Sequence, residues 1–478
     1  MKAFELRTGL MAHQQKAVEK LMAVKVGALF MDMGTGKTLT AMEIIRRRAN
    51  KFSHVVWICP VSLKHTIARE IQKHTTEPQG VFIFDDKVRA NTIPKADWYI
   101  VGAESIGSSD RVFSAFIRVA GGNTFVVVDE SLTIKSPTAK RTQRITDATM
   151  VSAFRLILTG TPLAKGVQDL YSQMRFLSPL ILGYSSFYKF AKNHLVYDDR
   201  YPKRVVEAHN TDYLARKINP FLYQVKKEEC LDLPNKTYST VNVSDLDIRF
   251  SYDAVKTYYI NKIQRMYETQ TVTASNLSLT IFAMMLRLQM VLSGFEYSGS
   301  GRFVKRTAPS NRIQALKSVI DSTDADEKII IWAKFHHDLD VICHMLAEHY
   351  GEDSVVEFSG RKNTAGKEEA LSRFRSGARF FVATASSGGY GLTLNEASYV
   401  IYYNNTFKYS DRLQSEDRCH RIGQTKHVTY VDLCAMETID ERIMKCIKEK
   451  KDVLHDFQAD VEQIKDDQKA VHAFIQAL

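Results

Sequence analysis

Cysteine is scarce and unpatterned in this chain. Six cysteines occur in 478 residues, at 59, 230, 343, 419, 434 and 446. They include no CxxC pair and no Cys/His spacing of the kind that holds zinc, which excludes a zinc module and a disulfide framework and fits a reducing, cytosol-like compartment. A signal-peptide core is missing too: the N-terminus MKAFELRTGLMAHQQKAVEK is polar and periodic. No apolar run stands out as long enough to cross a bilayer, so a soluble intracellular protein without a membrane partner is expected, cytoplasmic in a bacterial or phage-infected cell and nuclear in a eukaryote. Short-period repeats and low-complexity tracts are also absent.

What the chain does have is length and a mild basic excess. At 478 residues it is too long for one hydrophobic core and predicts two or three domains. Lys plus Arg number 65 against 54 Asp plus Glu, a formal net charge of +11. That balance favours a polyanionic partner such as nucleic acid, although a basic housekeeping enzyme would show it as well.

Short β-branched and aromatic runs alternate with amphipathic stretches: GALFM, HVVWIC, VFIF, WYIV, TFVVVD and RLILT in the first third, then KIIIWA, SVVEFS, RFFVAT, YVIYYN and HVTYVDL after residue 327. Buried parallel strands separated by helices explain both sets, so the predicted fold is α/β, with two doubly wound parallel-sheet lobes. Between them the chain is rich in Lys, Tyr and Met with helical periodicity, clearest in ASNLSLTIFAMMLRLQMVLSG. The predicted boundaries are a nucleotide-binding lobe over 1–180, a helical insertion and interlobe link over 181–295, a second lobe over 296–440 and C-terminal helices over 441–478. The segment EYSGSGRFVKRTAPSNR reads as an exposed loop or hinge.

The chemistry gathers at two places. After GALFM comes DMGTGKTLTAMEII, a turn opening into a helix. Gly34, Thr35 and Gly36 let backbone N–H groups approach phosphates, Lys37 reaches the β- and γ-phosphates, and the Thr38 hydroxyl can hold Mg²⁺. Met31 stands where a phosphate-binding loop usually has its first glycine, but the placement after a strand and before a helix still points to ATP. Downstream, VVVDESLTIKS ends a buried strand in two carboxylates. Asp129 would orient Mg²⁺ through water, and Glu130 would position and deprotonate the attacking water. Alone, such a pair is as often a helix cap; after a phosphate loop it predicts nucleoside triphosphate hydrolysis. In DRLQSEDRCHRIGQ, Arg418 and Arg421 are spaced to share one helical face, from which a second lobe could present them to the γ-phosphate.

The blocks LMAHQQKAVEKL, DMGTGKT, ICPVSLKHTIARE, VVVDES, LILTGTPLAKGVQDLYSQMRFLSP, TASSGGYGLTLNEASYVIYYN and QSEDRCHRIGQ occur in the order of the superfamily 2 helicase motifs. Together they resemble the Snf2-like branch over nearly the whole chain, and the type most similar is a minimal phage or bacterial core. The resemblance implies two RecA-like lobes with ATP between them. By position, Gln14 would read adenine, Thr159 and Thr161 would couple the nucleotide to DNA, and Gln414 with the two arginines would sense ATP from the other lobe.

The resemblance further implies DNA phosphate contacts at Pro60, Ser62 and Lys64 in the first lobe and at Thr384, Ser386, Ser387, Gly388 and Gly389 in the second. Short hydroxyl side chains and backbone N–H groups can grip phosphates without reading bases. Departures from the family pattern include His65 and Thr66 where a Trp is frequent, Tyr223 and Gln224 where an Arg pair is frequent, and Leu132 where a hydrogen-bonding side chain is frequent. The insertion offers Lys189, Lys192, Arg200, Lys203, Arg204, Arg216, Lys217, Lys226 and Lys227 among Tyr184, Tyr188, Tyr197, Tyr201 and Phe221, either as a DNA-facing surface or as a basic helical surface over a tyrosine core.

With the motifs running from about Leu10 to Gln424, no appended reader module is expected at either end. The expectation is a monomeric, ATP- and Mg²⁺-dependent translocase on duplex, forked or branched DNA, active in fork regression, branch migration or limited unwinding during repair, recombination or replication. An RNA-directed superfamily 2 helicase and a non-hydrolysing nucleic-acid clamp are the alternatives.

Overall fold

The computed structural model describes residues 1–163, 166–198, 205–244, 246–297, 303–305, 311–385 and 392–478. The chain divides into two compact units, Met1–Asp232 and Leu233–Leu478.

The first unit is built on seven strands: β1 (Val26–Met31), β2 (His54–Cys59), β3 (Val81–Ile83), β4 (Trp98–Gly102), β5 (Thr124–Asp129), β6 (Phe154–Thr159) and, after the hairpin β7 (Leu195–Tyr197) and β8 (Val205–Ala208), β9 (Leu222–Val225). The sheet order is β3-β4-β2-β5-β6-β1-β9, and every neighbouring pair is parallel. All six residues of β5 and of β6 are buried. A strand hidden on both faces requires packing on both sides of the sheet, which is why these segments read as continuous apolar runs rather than alternating ones. Register sets Asp129 beside Leu158 of β6 and Thr159 beside Phe30 of β1, so the carboxyl ends of the three adjacent strands finish at one edge.

The second unit carries β10 (Lys236–Val243), a short hairpin of β11 (Phe295–Tyr297) and β12 (Phe303–Lys305), then β13 (Ile329–Ala333), β14 (Val355–Phe358), β15 (Phe380–Thr384), β16 (Tyr399–Tyr402) and β17 (Val428–Ala435). Its six-stranded sheet runs β10-β17-β16-β13-β15-β14, again parallel throughout. Alternate side chains of β13 enter different cores: Ile329, Ile331 and Ala333 pack on one, Ile330 and Trp332 on the other. That period of two is the signature of a strand covered on both faces.

The stretch 181–295 is not a body of its own. Its first part, with the helices Phe187–His194 and Thr211–Ile218, belongs to the first unit, and its remainder to the second. The helices Leu246–Glu268 and Ala274–Leu292 form one apolar cluster with Ile439–Lys448, Val453–Ile464 and Gln468–Gln476, so the C-terminal helices are part of the second unit rather than an appendage. Ala274–Leu292 is long and apolar enough to cross a membrane by length and composition, which the sequence reading did not register. In the fold its inner face, including Leu277, Ile281, Met284, Met285 and Leu288, is the centre of that cluster. Most of the expected hinge 296–312 lies outside the described residues.

A buried ion pair pins the helix Tyr409–Glu416 to the second sheet. Arg412 donates to both carboxylate oxygens of Asp432 on β17, to Glu416 Oε1 at 2.7 Å and to Asn405 Oδ1 at 3.0 Å, and both partners of the pair are 3% exposed. Asp432→Ala would remove one of the two carboxylates that answer the buried guanidinium, leaving Glu416, and the expected cost is about 1.5–3 kcal/mol. Denaturant unfolding of the full chain checks it; a loss under ~1 kcal/mol would mean the pair contributes no more than a surface one.

Candidate active site

The phosphate loop forms where β1 ends. Gly34 and Gly36 have φ of 77° and 84°, the left-handed region in which glycine carries no Cβ penalty, and Gly36 caps the helix Lys37–Arg46. A Cβ at Gly36 would also lie 2.0 Å from Gln14 Nε2, so a side chain there would displace the Gln14 amide. The loop is braced from the first helix: His13 Nε2 lies 2.9 Å from the Thr35 carbonyl and Gln14 Nε2 donates to the same oxygen at 3.1 Å. Gln14 Oε1 accepts from Met11 N at 2.9 Å, leaving the side chain 2% exposed. Gln14 therefore reaches the nucleotide loop, but both ends of its amide are engaged in holding it. Met31, in the place of the usual first glycine, is the fully buried last residue of β1.

Lys37 donates to the carbonyls of Met31 at 2.9 Å and Asp32 at 3.2 Å. These are the bonds an incoming phosphate would replace. Thr38 follows in the first helical turn and is half-buried. The loop after β6 closes on the same place: a Cβ at Gly160 would lie 3.2 Å from Met33 and 3.5 Å from Lys37 Nζ. Within LTGTP, Thr159 is fully buried and its Oγ1 accepts from Thr161 N at 3.1 Å.

Asp129 and Glu130 complete the edge. Burial pushes the Asp129 carboxyl up to about 7, the charge of Glu130 adds to the rise, and Lys37 acts against it. Its Oδ1 accepts from Glu130 N at 2.9 Å. Glu130 itself has φ 49° and ψ 61°, a left-handed backbone that costs a non-glycine residue about 1–2 kcal/mol and persists only where its surroundings enforce it. No sequence signal pointed to that conformation. A buried carboxylate beside a second one, with a lysine and a threonine hydroxyl on the neighbouring loop, is a donor set suited to Mg²⁺ held jointly with phosphates. Among the described residues no three His, Cys, Asp or Glu side chains gather as a separate metal site. Leu132 lies half-buried in the 3₁₀ turn Ser131–Ile134.

The residues expected to touch DNA are placed unevenly. Ser62 is exposed in the 3₁₀ turn after β2 and Pro60 is buried. Lys64 donates to the Phe84 carbonyl at 2.6 Å and is buried, so here its ammonium joins two segments of the first unit. Thr384 ends β15 and is buried, while Ser386, Ser387, Gly388 and Gly389 lie outside the described residues. In the former insertion, Lys189, Lys192, Arg216 and Lys217 are exposed and Tyr188 is 76% exposed, whereas Tyr184, Tyr197 and Phe221 pack on the first core. Arg200, Tyr201, Lys203 and Arg204 lie outside the described residues.

Arg418 and Arg421 are not on a helical face. The helix stops at Glu416, because the following residues form a turn closed by Gln424, whose Nε2 donates to Ala397 O at 2.8 Å and Cys419 O at 3.1 Å. The two arginines still converge, both donating to the Leu392 carbonyl, at 3.2 and 3.0 Å. Arg418 is buried and also bonds the Gln414 carbonyl at 2.9 Å; Arg421 is half-exposed. Glu416 is occupied by Arg412 and by the Tyr238 hydroxyl at 2.8 Å. Sequence reasoning also passed over Lys334 at the end of β13, which donates to Gln289 and sits 3.5 Å from the Phe407 ring centroid; burial holds it down to about 7.

Residues 13–292 match the SNF2-related domain and residues 311–423 the helicase conserved C-terminal domain. An uncharacterized ATP-dependent helicase of Mycoplasma pneumoniae is 25% identical over 467 residues, covering 94% of this chain and 42% of that protein. A second, MG018 of Mycoplasma genitalium, is 27% identical over 334 residues, 69% of this chain and 30% of its own length. The chain thus spans less than half of either relative. The solved SWI2/SNF2 ATPase core of Sulfolobus solfataricus, in complex with dsDNA, aligns over 99% of this chain and 98% of its own at 22% identity and a TM-score of 0.44.

The raised Asp129 carboxyl gives a pH signature. Below about 7 Asp129 holds a proton that competes with a bound cation, so Mg²⁺-dependent nucleotide affinity is expected to rise as pH passes through that value. Asp129→Asn should flatten the profile. Titration with a fluorescent ATP analogue at fixed Mg²⁺ checks both, and a pH-independent wild type would contradict the burial argument.

Proposed function

This chain belongs to the SNF2-related family, and on that premise we propose that it hydrolyses ATP to move along DNA. The observation that supports this most directly is the meeting, at one edge of the first sheet, of the Lys37 loop, the Asp129–Glu130 pair and the Thr159–Thr161 turn. Phosphates accept the Lys37 ammonium in place of the two carbonyls it now holds, and loop N–H groups between Gly34 and Thr38 surround them. Thr38 and Asp129 would hold Mg²⁺, which when bound supplies charge neutralisation at the β- and γ-oxygens. Glu130, fixed by its backbone rather than by a flexible approach, orients a water and takes its proton.

Arg421, the more accessible of the two arginines, is the residue proposed to meet charge building on the γ-phosphate, with Arg418 bracing the turn that carries it. Alternating nucleotide states then bias the two units between arrangements, and alternating phosphate grips convert that bias into movement. The net charge of +11 and the exposed lysines and arginines at 189, 192, 216 and 217 suit a phosphate backbone. Duplex or branched DNA is the proposed track, with fork regression, branch migration or limited unwinding as the outcome.

A clamp that had lost hydrolysis would have no use for a strained Glu130, so the hydrolytic function is favoured. Glu130→Gln is expected to lower kcat for ATP hydrolysis roughly 10²–10⁴-fold, and Lys37→Ala to abolish saturable turnover. In the wild type, duplex or forked DNA at stated salt should stimulate hydrolysis more than RNA of equal length. Stimulation by RNA alone would favour the RNA helicase, and DNA binding without turnover the clamp.

A further inference from the structure

The residue after Glu130 is tied to the loop after β6 by a single buried amide. Ser131 Oγ donates to Gln173 Oε1 at 2.6 Å. The Gln173 amide nitrogen donates to the carbonyls of Pro162 and Asp169, both at 2.9 Å. Ser131 and Gln173 are both fully buried, and the two N–H donors of the glutamine are thus each used, along with its oxygen. Gln173 lies on the helix Gln168–Leu177, which follows LTGTP in the chain, while Ser131 opens the 3₁₀ turn that follows the carboxylate pair.

Glu130 needs this kind of support. Its left-handed backbone is held on one side by Asp129 Oδ1, which takes its N–H at 2.9 Å, and on the other by Thr133 N, which donates to its carbonyl at 2.9 Å. Those bonds are local and would travel with the turn if it swung. The Ser131–Gln173 bond joins residues 42 apart in sequence and references the turn to a different element of the core. Pro162, the far end of the relay, follows Thr161, whose N–H is held by Thr159.

We propose that Gln173 is a positioning residue for hydrolysis: acting through Ser131, it fixes the backbone of Glu130 relative to the Thr159–Pro162 turn. Gln173 touches neither nucleotide nor water in this role. The proposal rests on the assignment of Glu130 to the attacking water, and it adds that the geometry of that water is set from outside the nucleotide loop. A displaced general base loses rate without loosening the nucleotide, since phosphate binding depends on Lys37 and the loop N–H groups.

The test is steady-state ATP hydrolysis by Gln173→Leu, Ser131→Ala and the double variant of the full chain, with nucleotide affinity and thermal unfolding measured alongside. The expected result is kcat lowered about tenfold in each single variant, KM for ATP and nucleotide affinity within about twofold of wild type, and a double variant no slower than the worse single, as for two members of one link. A kcat within about twofold of wild type overturns the proposal, with or without a lower unfolding temperature, and so do losses that multiply in the double variant. If Gln173→Leu does not fold, Ser131→Ala decides by the same criteria. Glu130→Gln run in parallel separates the two failures: if it keeps wild-type turnover, the assignment of Glu130 falls first; if it is inactive while Gln173→Leu is normal, only the positioning role falls.

Discussion

A carboxylate withdrawn from water must be answered by whatever surrounds it, and Asp129 is such a group. It ends a strand buried on both faces, and its own neighbour in the chain is a second carboxylate. Uncompensated, a buried charge costs several kcal/mol; burial accordingly raises the Asp129 carboxyl, and Lys37 and the Glu130 N–H answer the demand for compensation. The depth of β5 in the sheet creates this demand. At the edge formed by β5, β6 and β1 the loops that follow these three adjacent strands come together.

The lysine of the loop after β1 has partners within the chain. Lys37 rests on the carbonyls of Met31 and Asp32, and Thr35 Oγ1 also donates to Asp32 O at 2.7 Å. Asp32 is engaged at its N–H, its carbonyl and one carboxylate oxygen: the N–H reaches Val225 O at 3.2 Å and Oδ2 accepts from Lys227 N at 2.9 Å. Asp32 thus links Lys37 to the end of β9, in the segment that precedes the start of the second unit at Leu233. Through Ser131 and Gln173 the same edge is tied to the helix after LTGTP. Hydrogen bonds thus lead from this edge both to the end of β9 and to the helix after LTGTP, all within the first unit.

Much of this was legible in the sequence, for physical reasons. Central parallel strands such as TFVVVD and RLILT must be apolar throughout, and they stand out as runs; DMGTGKT between a strand and a helix has few other uses. β9 and β10 escaped notice because they are edge strands: KTYSTVNV is largely exposed, LYQV is mostly half-buried, and neither has the apolar run of a central strand. Arg418 and Arg421 were expected to share a helix because their spacing allows it, but the hydrogen bonds of Gln424 to the carbonyls of Ala397, well before them, and Cys419, between them, decide for a turn. Lys64 looked like a phosphate ligand, yet its partner Phe84 is twenty residues away, a distance at which local pattern carries no information. The Ser131–Gln173 bond and the left-handed Glu130 belong to the same class: they arise from tertiary contacts, and each residue alone looks ordinary.

The central claim is that ATP hydrolysis in this chain is converted into movement along duplex DNA. Displacement of a third strand from a DNA triplex reports that movement without requiring the duplex to be opened. Displacement that needs hydrolysable ATP, and that disappears in Glu130→Gln while DNA binding remains, is the predicted result. Steady DNA-stimulated hydrolysis with no displacement on any length of duplex flanking the triplex would contradict the account.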